Sequence, residues 1–186
     1  FSKFREKLFR VNGFSVEKRS VRRYASGIGA HILGDVAEVN QADIDSDAYY
    51  KSGDYIGKLG VERSYEKALR GEKGMRIMLR DVHGRTQGHY MDGKFDTKAH
   101  PGRNLTLGID LATQQLAERL LEGKLGAIVA IEPATGEIIA MASSPSYDPR
   151  SMAGRDRSKH MGILMRDERR PLLNRAISGL YPPGST

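Results

Sequence analysis

Two short apolar runs, Ala127 to Ile131 and Ile138 to Ala142, flank the turn-forming stretch Pro133-Ala134-Thr135-Gly136. Each run has the length of a strand, and the gap between them predicts an antiparallel hairpin. Both are apolar at nearly every position, so the hairpin is expected to be buried on both faces. A two-stranded hairpin is not stable by itself, and helices must cover it. One candidate precedes it directly. Asp110 is placed to cap a helix whose Leu116, Ala117, Leu120 and Leu121 form an apolar stripe, ending at Gly123. A further strand is predicted over 104–109. The class that follows is α+β, an antiparallel sheet flanked by helices.

The first half reads as a mixture of short strands and small helices. Phe1, Phe4 and Leu8 recur at helical spacing, which predicts an opening helix that stops before Asn12-Gly13. Extended chain is expected over 14–24, a strand over 31–39, and a polar loop with one helical turn over 40–54. Residues 60–70 are expected to form a helix with Val61, Tyr65 and Leu69 on one face. Glu66 and Arg70 pair on it at i,i+4, and Gly71 ends it. Strands near 75–81 and 87–90 are joined by a turn at Gly84. Pro101-Gly102 then marks a module boundary. The expected domains are 1–103 and 104–186.

Several function classes are excluded or disfavoured at this stage. There is no cysteine, hence no disulfide, thiolate metal site or cysteine nucleophile. No run approaches the roughly 18 apolar residues of a membrane span. The formal charge of +7 is concentrated in Ser2 to Arg23 and in Arg150 to Arg175. These are expected to be solvated basic faces. No recognition-helix, RNP or zinc-finger pattern accompanies them, so nucleic acid is not an expected partner. His31, His83, His89, His100 and His160 lack metal-ligand spacing. Asp43, Asp45, Asp47 and Asp54 imitate a calcium loop, but Ala48 stands where glycine is needed and Asp54 where glutamate is.

Nucleophilic chemistry fits best at Tyr181-Pro182-Pro183-Gly184-Ser185-Thr186. The prolines restrict the approach and glycine permits a tight turn directly before a hydroxyl. A helix starting there would place Ser185 at its positive end, where backbone N–H groups stabilise an oxyanion. On residue types alone, however, the stretch describes a plain turn better than a catalytic one.

Leu172-Leu173-Asn174-Arg175-Ala176 followed by that stretch resembles the approach to the active-site Ser-x-x-Lys of the class B penicillin-binding proteins. Leu105-Thr106-Leu107-Gly108-Ile109-Asp110 with Gln115 resembles the start of their transpeptidase domain. Residues 126–149, with Ser143-Ser144-Pro145-Ser146-Tyr147-Asp148-Pro149, resemble its first hairpin and the segment after it. Two motifs of the family's N-terminal pedestal are also matched. One is Gly60, Glu62, Tyr65, Glu66, Leu69, Arg70, Gly71 and Gly74; the other is Arg22, Tyr24, Gly27, His31 and Gly34. Within the family the lead-in looks closest to the elongation-type members, since division-type relatives tend to carry an acidic residue where Pro182 stands. Ala25 departs from the usual proline, and the spacing to His31 is one residue short.

The resemblance implies a peptidoglycan D,D-transpeptidase that crosslinks stem peptides through an acyl-enzyme on Ser185 and is a target of β-lactams. No metal or organic cofactor is implied. The pedestal, 1–103, would meet a SEDS-type membrane glycan polymerase and elongation scaffold proteins, and 104–186 would begin the transpeptidase domain. The family is held at the bacterial inner membrane by a single-pass anchor, missing from this chain, with this portion in the periplasm or outside the cell. The motif lysine, Ser-x-Asn and Lys-Thr-Gly would follow Thr186. Glu62, Glu66 and Arg70 are expected to make structural contacts rather than to bind substrate. Two other readings stand beside this one: a serine β-lactamase or β-lactam sensor, and a non-catalytic partner-binding module.

Overall fold

The computed structural model describes residues 22–154 and 156–181. The helix expected at Phe1, Phe4 and Leu8, most of the extended stretch over 14–24, and Pro182 to Thr186 lie outside the described residues.

Gly29, at φ 71, turns the chain into α1, Ala30–Leu33, and Gly34 ends it at φ 80. Strand β1, Val36–Glu38, follows. The strand expected over 31–39 is therefore split into a helical turn and a shorter strand. The cause is a backbone crossing. A Cβ on Gly34 would lie 1.9 Å from the Leu59 carbonyl oxygen, and one on Gly60 would lie 2.4 Å from that of Ile32. Only glycines at both positions let these two segments touch. Gly34→Ala is accordingly expected to lower stability by more than the roughly 1–3 kcal/mol of ordinary overpacking. Denaturant unfolding measures this; a loss below about 1 kcal/mol would contradict the crossing.

Strand β1 pairs antiparallel with β2, Tyr55–Gly57, with Val36 opposite Gly57. The polar stretch between them forms α2, Gln41–Ser46. Its start is fixed by a reciprocal cap: Asn40 accepts from the Asp43 amide, and Asp43 accepts from the Asn40 amide. The helix expected over 60–70 is two, α3, Gly60–Ser64, and α4, Glu66–Leu69, broken where Tyr65 leaves helical geometry at φ −112 and ψ 20. Beyond them, β3, Met78–Arg80, and β4, Thr86–His89, form a separate antiparallel arm. Isolated bridges Met75↔Thr97 and Glu72↔His100 lengthen it. Strand β3 is shorter than expected, with a register slip between Leu79 and Arg80, and β4 keeps its expected length one residue earlier, because Tyr90 enters a 3-10 turn.

In the second half, 104–109 forms no strand. Helix α5, Leu111–Leu120, begins where expected, with Asp110 accepting from the Thr113 amide at 2.7 Å. Strands β5, Gly126–Ile131, and β6, Ile138–Ser144, make the expected hairpin, pairing Ile128 with Ala142 and Ala130 with Ala140. Ala117 and Leu121 pack on Ala140 and Ala142 to form a core, with Ile128 and Ala130 against it. The rest of the predicted stripe is turned outward: Leu116 and Leu120 are exposed, and Gln114 takes the inward place. Its side chain accepts from the Met141 amide at 2.8 Å and donates to the Met141 carbonyl at 3.1 Å, so its burial leaves no polar group unmet there. Burial of both hairpin faces is also corrected. Val129 and Ile131 are 44% and 55% exposed on the face away from α5. Helix α7, Arg175–Ser178, meets the hairpin near Ser143. Between hairpin and α7 come the 3-10 turn Pro149–Met152, with Pro149 and Met152 buried, and α6, Arg157–Arg166. The class is α+β, with mixed short helices and antiparallel strands.

Candidate active site

Ser185 lies outside the described residues; what the structure presents is the platform that carries the chain toward it, ending at Tyr181. The platform is the turn from Pro171 to Arg175 and the helix α7 that it launches. Asn174 caps α7, accepting from the Ala176 amide at 3.1 Å. The Arg175 guanidinium folds back onto the carbonyls of Arg169 and Arg170, at 2.5 and 3.1 Å, and closes the preceding loop. Ser143, buried at the end of β6, accepts from the Arg175 amide at 2.9 Å and donates to the Leu173 carbonyl at 3.1 Å.

The segment Ser143 to Pro149, singled out in the sequence, acts as a bracket. The Ser144 hydroxyl reaches the carbonyls of Leu121 and Lys124, tying β6 to the end of α5. Tyr147 donates to the Ala30 carbonyl at 3.3 Å and meets the His31 ring edge-on, with centroids 5.3 Å apart. Burial pushes the Tyr147 hydroxyl up to about 12, aided by the negative charge of Asp35, so it remains a donor. Asp148 caps the 3-10 turn and pairs with Arg150.

Of the motif residues assigned to the pedestal, His31 lies at the contact between the two halves, whereas Glu62, Glu66 and Arg70 bond within the first half. His31 reaches the Pro171 carbonyl through Nε2 at 2.9 Å, and the Gly29 amide donates to Glu118 on α5 at 2.7 Å. Asp35, fully buried, is paired with Arg157 on α6. Glu62 accepts from Arg22 and from Tyr24, whose hydroxyl is raised by burial and by that carboxylate. Glu66 accepts from Tyr50 at 2.9 Å and from the Gly57 amide at 2.8 Å. Arg70 pairs with Asp47 at 2.7 Å and lies 3.9 Å over the Tyr49 ring. Burial works against the Arg70 charge, but its bonds to Asp47 and Tyr50 outweigh that and raise its pKa. Glu66 and Arg70 border an open depression of about 520 Å³, yet both Glu66 oxygens are bonded within the first half and Arg70 is paired with Asp47 through Nη1. They are therefore structural, as expected. The Asp43–Asp47 stretch is likewise engaged in capping and ion pairs, Asp43 with Lys58 and Asp47 with Arg70. The basic run from Arg150 is less free than a solvated face: Arg157 is drawn inward to Asp35, and Arg175 to backbone carbonyls.

Ser143, Gln114, Asp35 and Arg157 carried no sequence reading of their own. Gln114 was in principle visible, since Gln114, Ala117 and Leu121 share one helix face. The neighbouring Gln115, noted for its resemblance, is exposed.

Residues 1–107 match the family described as Penicillin-binding Protein dimerisation domain, and residues 126–186 match the Penicillin binding protein transpeptidase domain. The peptidoglycan D,D-transpeptidase MrdA of Acinetobacter baumannii is 39% identical over 189 residues, covering 100% of this chain and 27% of that protein. Its namesake in Escherichia coli K12 is 35% identical over 193 residues, covering 100% and 30%. The chain thus spans about three-tenths of the length of the curated relatives it matches. Among solved structures, Pseudomonas aeruginosa PBP2 in complex with WCK 5153 is 38% identical with a TM-score of 0.69, covering 89% of this chain and 33% of that one. A complex between PBP2 and MreC from Helicobacter pylori gives 28% identity and a TM-score of 0.79, covering 99% and 34%. A peptidoglycan synthase complex that coordinates polymerization and crosslinking gives 29% and 0.68, covering 94% and 32%.

Proposed function

This chain belongs to the penicillin-binding proteins, and we propose that it is the N-terminal module and opening of the catalytic domain of a peptidoglycan D,D-transpeptidase whose nucleophile is Ser185. The observation that carries the reading is order: a dimerisation-domain match, then a transpeptidase-domain match that includes Tyr181-Pro182-Pro183-Gly184-Ser185. We place the boundary between the two modules at 103/104, near Pro101-Gly102.

In this reading a lysine at the third position after Ser185 shares its helix face and takes the hydroxyl proton. Ser185 Oγ attacks the carbonyl of the penultimate D-alanine in a stem peptide. The peptide bond to the terminal D-alanine breaks, and that residue leaves with a proton on its amine. An amine of a neighbouring stem peptide then attacks the ester, releasing Ser185 and forming the crosslink. β-Lactams enter the same first step and remain as the acyl adduct. The N-terminal module docks a scaffold protein of the MreC kind and a SEDS-type glycan polymerase. Support comes from the relatives solved with MreC and within a peptidoglycan synthase complex. Such a protein works at the outer face of the bacterial inner membrane, this portion lying in the periplasm. Among the described residues no helix is long and apolar enough to cross a membrane.

The lifetime of the penicilloyl adduct separates this reading from a β-lactamase. In a protein carrying the complete transpeptidase domain, the adduct is expected to persist over many minutes after free drug is removed. Release within seconds would assign the chain to a hydrolase.

A further inference from the structure

The turn ahead of Ser185 is held from two sides by groups that acyl transfer does not use. From the N-terminal half, His31 on α1 contacts the Pro171 carbonyl at 2.9 Å. A carbonyl only accepts, so Nε2 carries the proton and donates. Burial lowers the His31 pKa, partly offset by the Pro171 carbonyl and Glu118 and reinforced by Arg175. The lowered pKa favours the neutral imidazole, whose Nε2–H tautomer makes this donation. From the hairpin, Ser143 bridges the Leu173 carbonyl and the Arg175 amide. Pro171, Leu173 and Arg175 thus each have a backbone group fixed by a side chain from outside the turn. Pro171 is itself buried. Satisfying backbone polarity does not demand this arrangement, because a surface turn meets that need with water. Two grips from separate parts of the chain set where α7 begins. Helix α7 ends at Ser178, and Gly179-Leu180-Tyr181-Pro182-Pro183-Gly184 leads from it to Ser185.

We propose that His31 and Ser143 are positioning residues for the acylation of Ser185, acting through the Pro171–Arg175 turn. The proposal rests on the reading that Ser185 is the nucleophile. Displacing a reacting group by about 1 Å costs on the order of 10²-fold in rate, so a loosened turn is felt in the bond-forming step rather than in drug binding. His31 also makes the N-terminal half a direct support of that turn, across 140 residues of sequence.

The test uses a protein with the complete transpeptidase domain and follows a fluorescent penicillin by stopped flow, separating the binding constant from the acylation rate constant. Rates are normalised to the folded fraction at the assay temperature. Ser143→Ala and His31→Phe are expected to lower the acylation rate constant by about 10- to 100-fold while binding changes less than about threefold. His31→Gln restores a donor and Ser143→Thr restores the hydroxyl; each is expected to recover most of the lost rate. A merely structural role predicts instead an unchanged acylation rate per folded molecule. That result, or conservative variants no faster than the disruptive ones, overturns the proposal. Should either disruptive variant fail to fold, the other decides together with its conservative partner, since the two grips are separate and each alone is expected to slow acylation. Ser185→Ala runs alongside. If it labels like the parent, the nucleophile assignment falls and takes this inference with it; if it is blank while the other variants acylate normally, this inference alone falls.

Discussion

Covalent labelling by a fluorescent penicillin is expected to vanish when Ser185 is replaced by alanine in a protein carrying the complete transpeptidase domain, with the thermal transition unchanged. Acyl transfer needs an oxygen that becomes covalently bonded, and alanine offers none, so the loss is of the whole reaction rather than a fraction of it. Losing a nucleophile costs on the order of 10⁴-fold or more where a residual route exists, and labelling has no such route. Thr186 is the only hydroxyl residue adjacent to Ser185. A lysine three positions after Ser185 would share a helix face with Ser185 and not with Thr186, so Thr186→Ala is expected to retain labelling. Labelling of Ser185→Ala at the parent's rate would remove Ser185 from the mechanism.

The second large effect concerns stability. Arg157→Met is expected to destabilise the protein by roughly 3–5 kcal/mol, because it leaves a buried carboxylate without its counter-charge. Asp35 has no exposed surface, and Arg157 meets its Oδ2 through both Nε, at 3.0 Å, and Nη2. The other oxygen, Oδ1, has no hydrogen-bond partner among the described residues, so no second contact there replaces the lost one. Converting both partners to apolar residues, Asp35→Leu with Arg157→Met, is expected to recover much of the loss, since neither charge is then stranded. Urea unfolding of the two single variants and the double variant closes the cycle. An Arg157→Met loss below about 1 kcal/mol would show that the pair does not hold the two halves together.

What was readable in the sequence and what was not divide along physical lines. The hairpin at 126–144, the Asp110 cap and the ends at Gly71 and Gly123 are local events, set by residues within a few positions of one another. The errors arose where a distant segment overrode local preference. Residues 31–39 carry enough apolar character for one strand, but Gly34 must pass against Leu59 and Gly60, which breaks the run. Residues 104–109 are strand-like in composition, yet they form no ladder; the segment meets β6 through one backbone bond, from the Asp110 amide to the Ile139 carbonyl at 2.8 Å. Residues 60–70 hold a continuous helical pattern that Tyr65 interrupts. For the candidate site, the resemblance named His31 and Ser143 as members of motifs, but their roles depend on partners 140 and 32 residues away. Asp35 and Arg157, 122 residues apart, belong to no pattern that spacing alone would reveal.

The most direct test of the account is the site of the penicilloyl group. A protein carrying the complete transpeptidase domain is treated with benzylpenicillin, digested, and examined by tandem mass spectrometry. The account predicts a single adduct, on the peptide containing Tyr181-Pro182-Pro183-Gly184-Ser185-Thr186, with the fragment ions placing the added mass on Ser185. An adduct on any other residue, or none at saturating drug on folded protein, would contradict it.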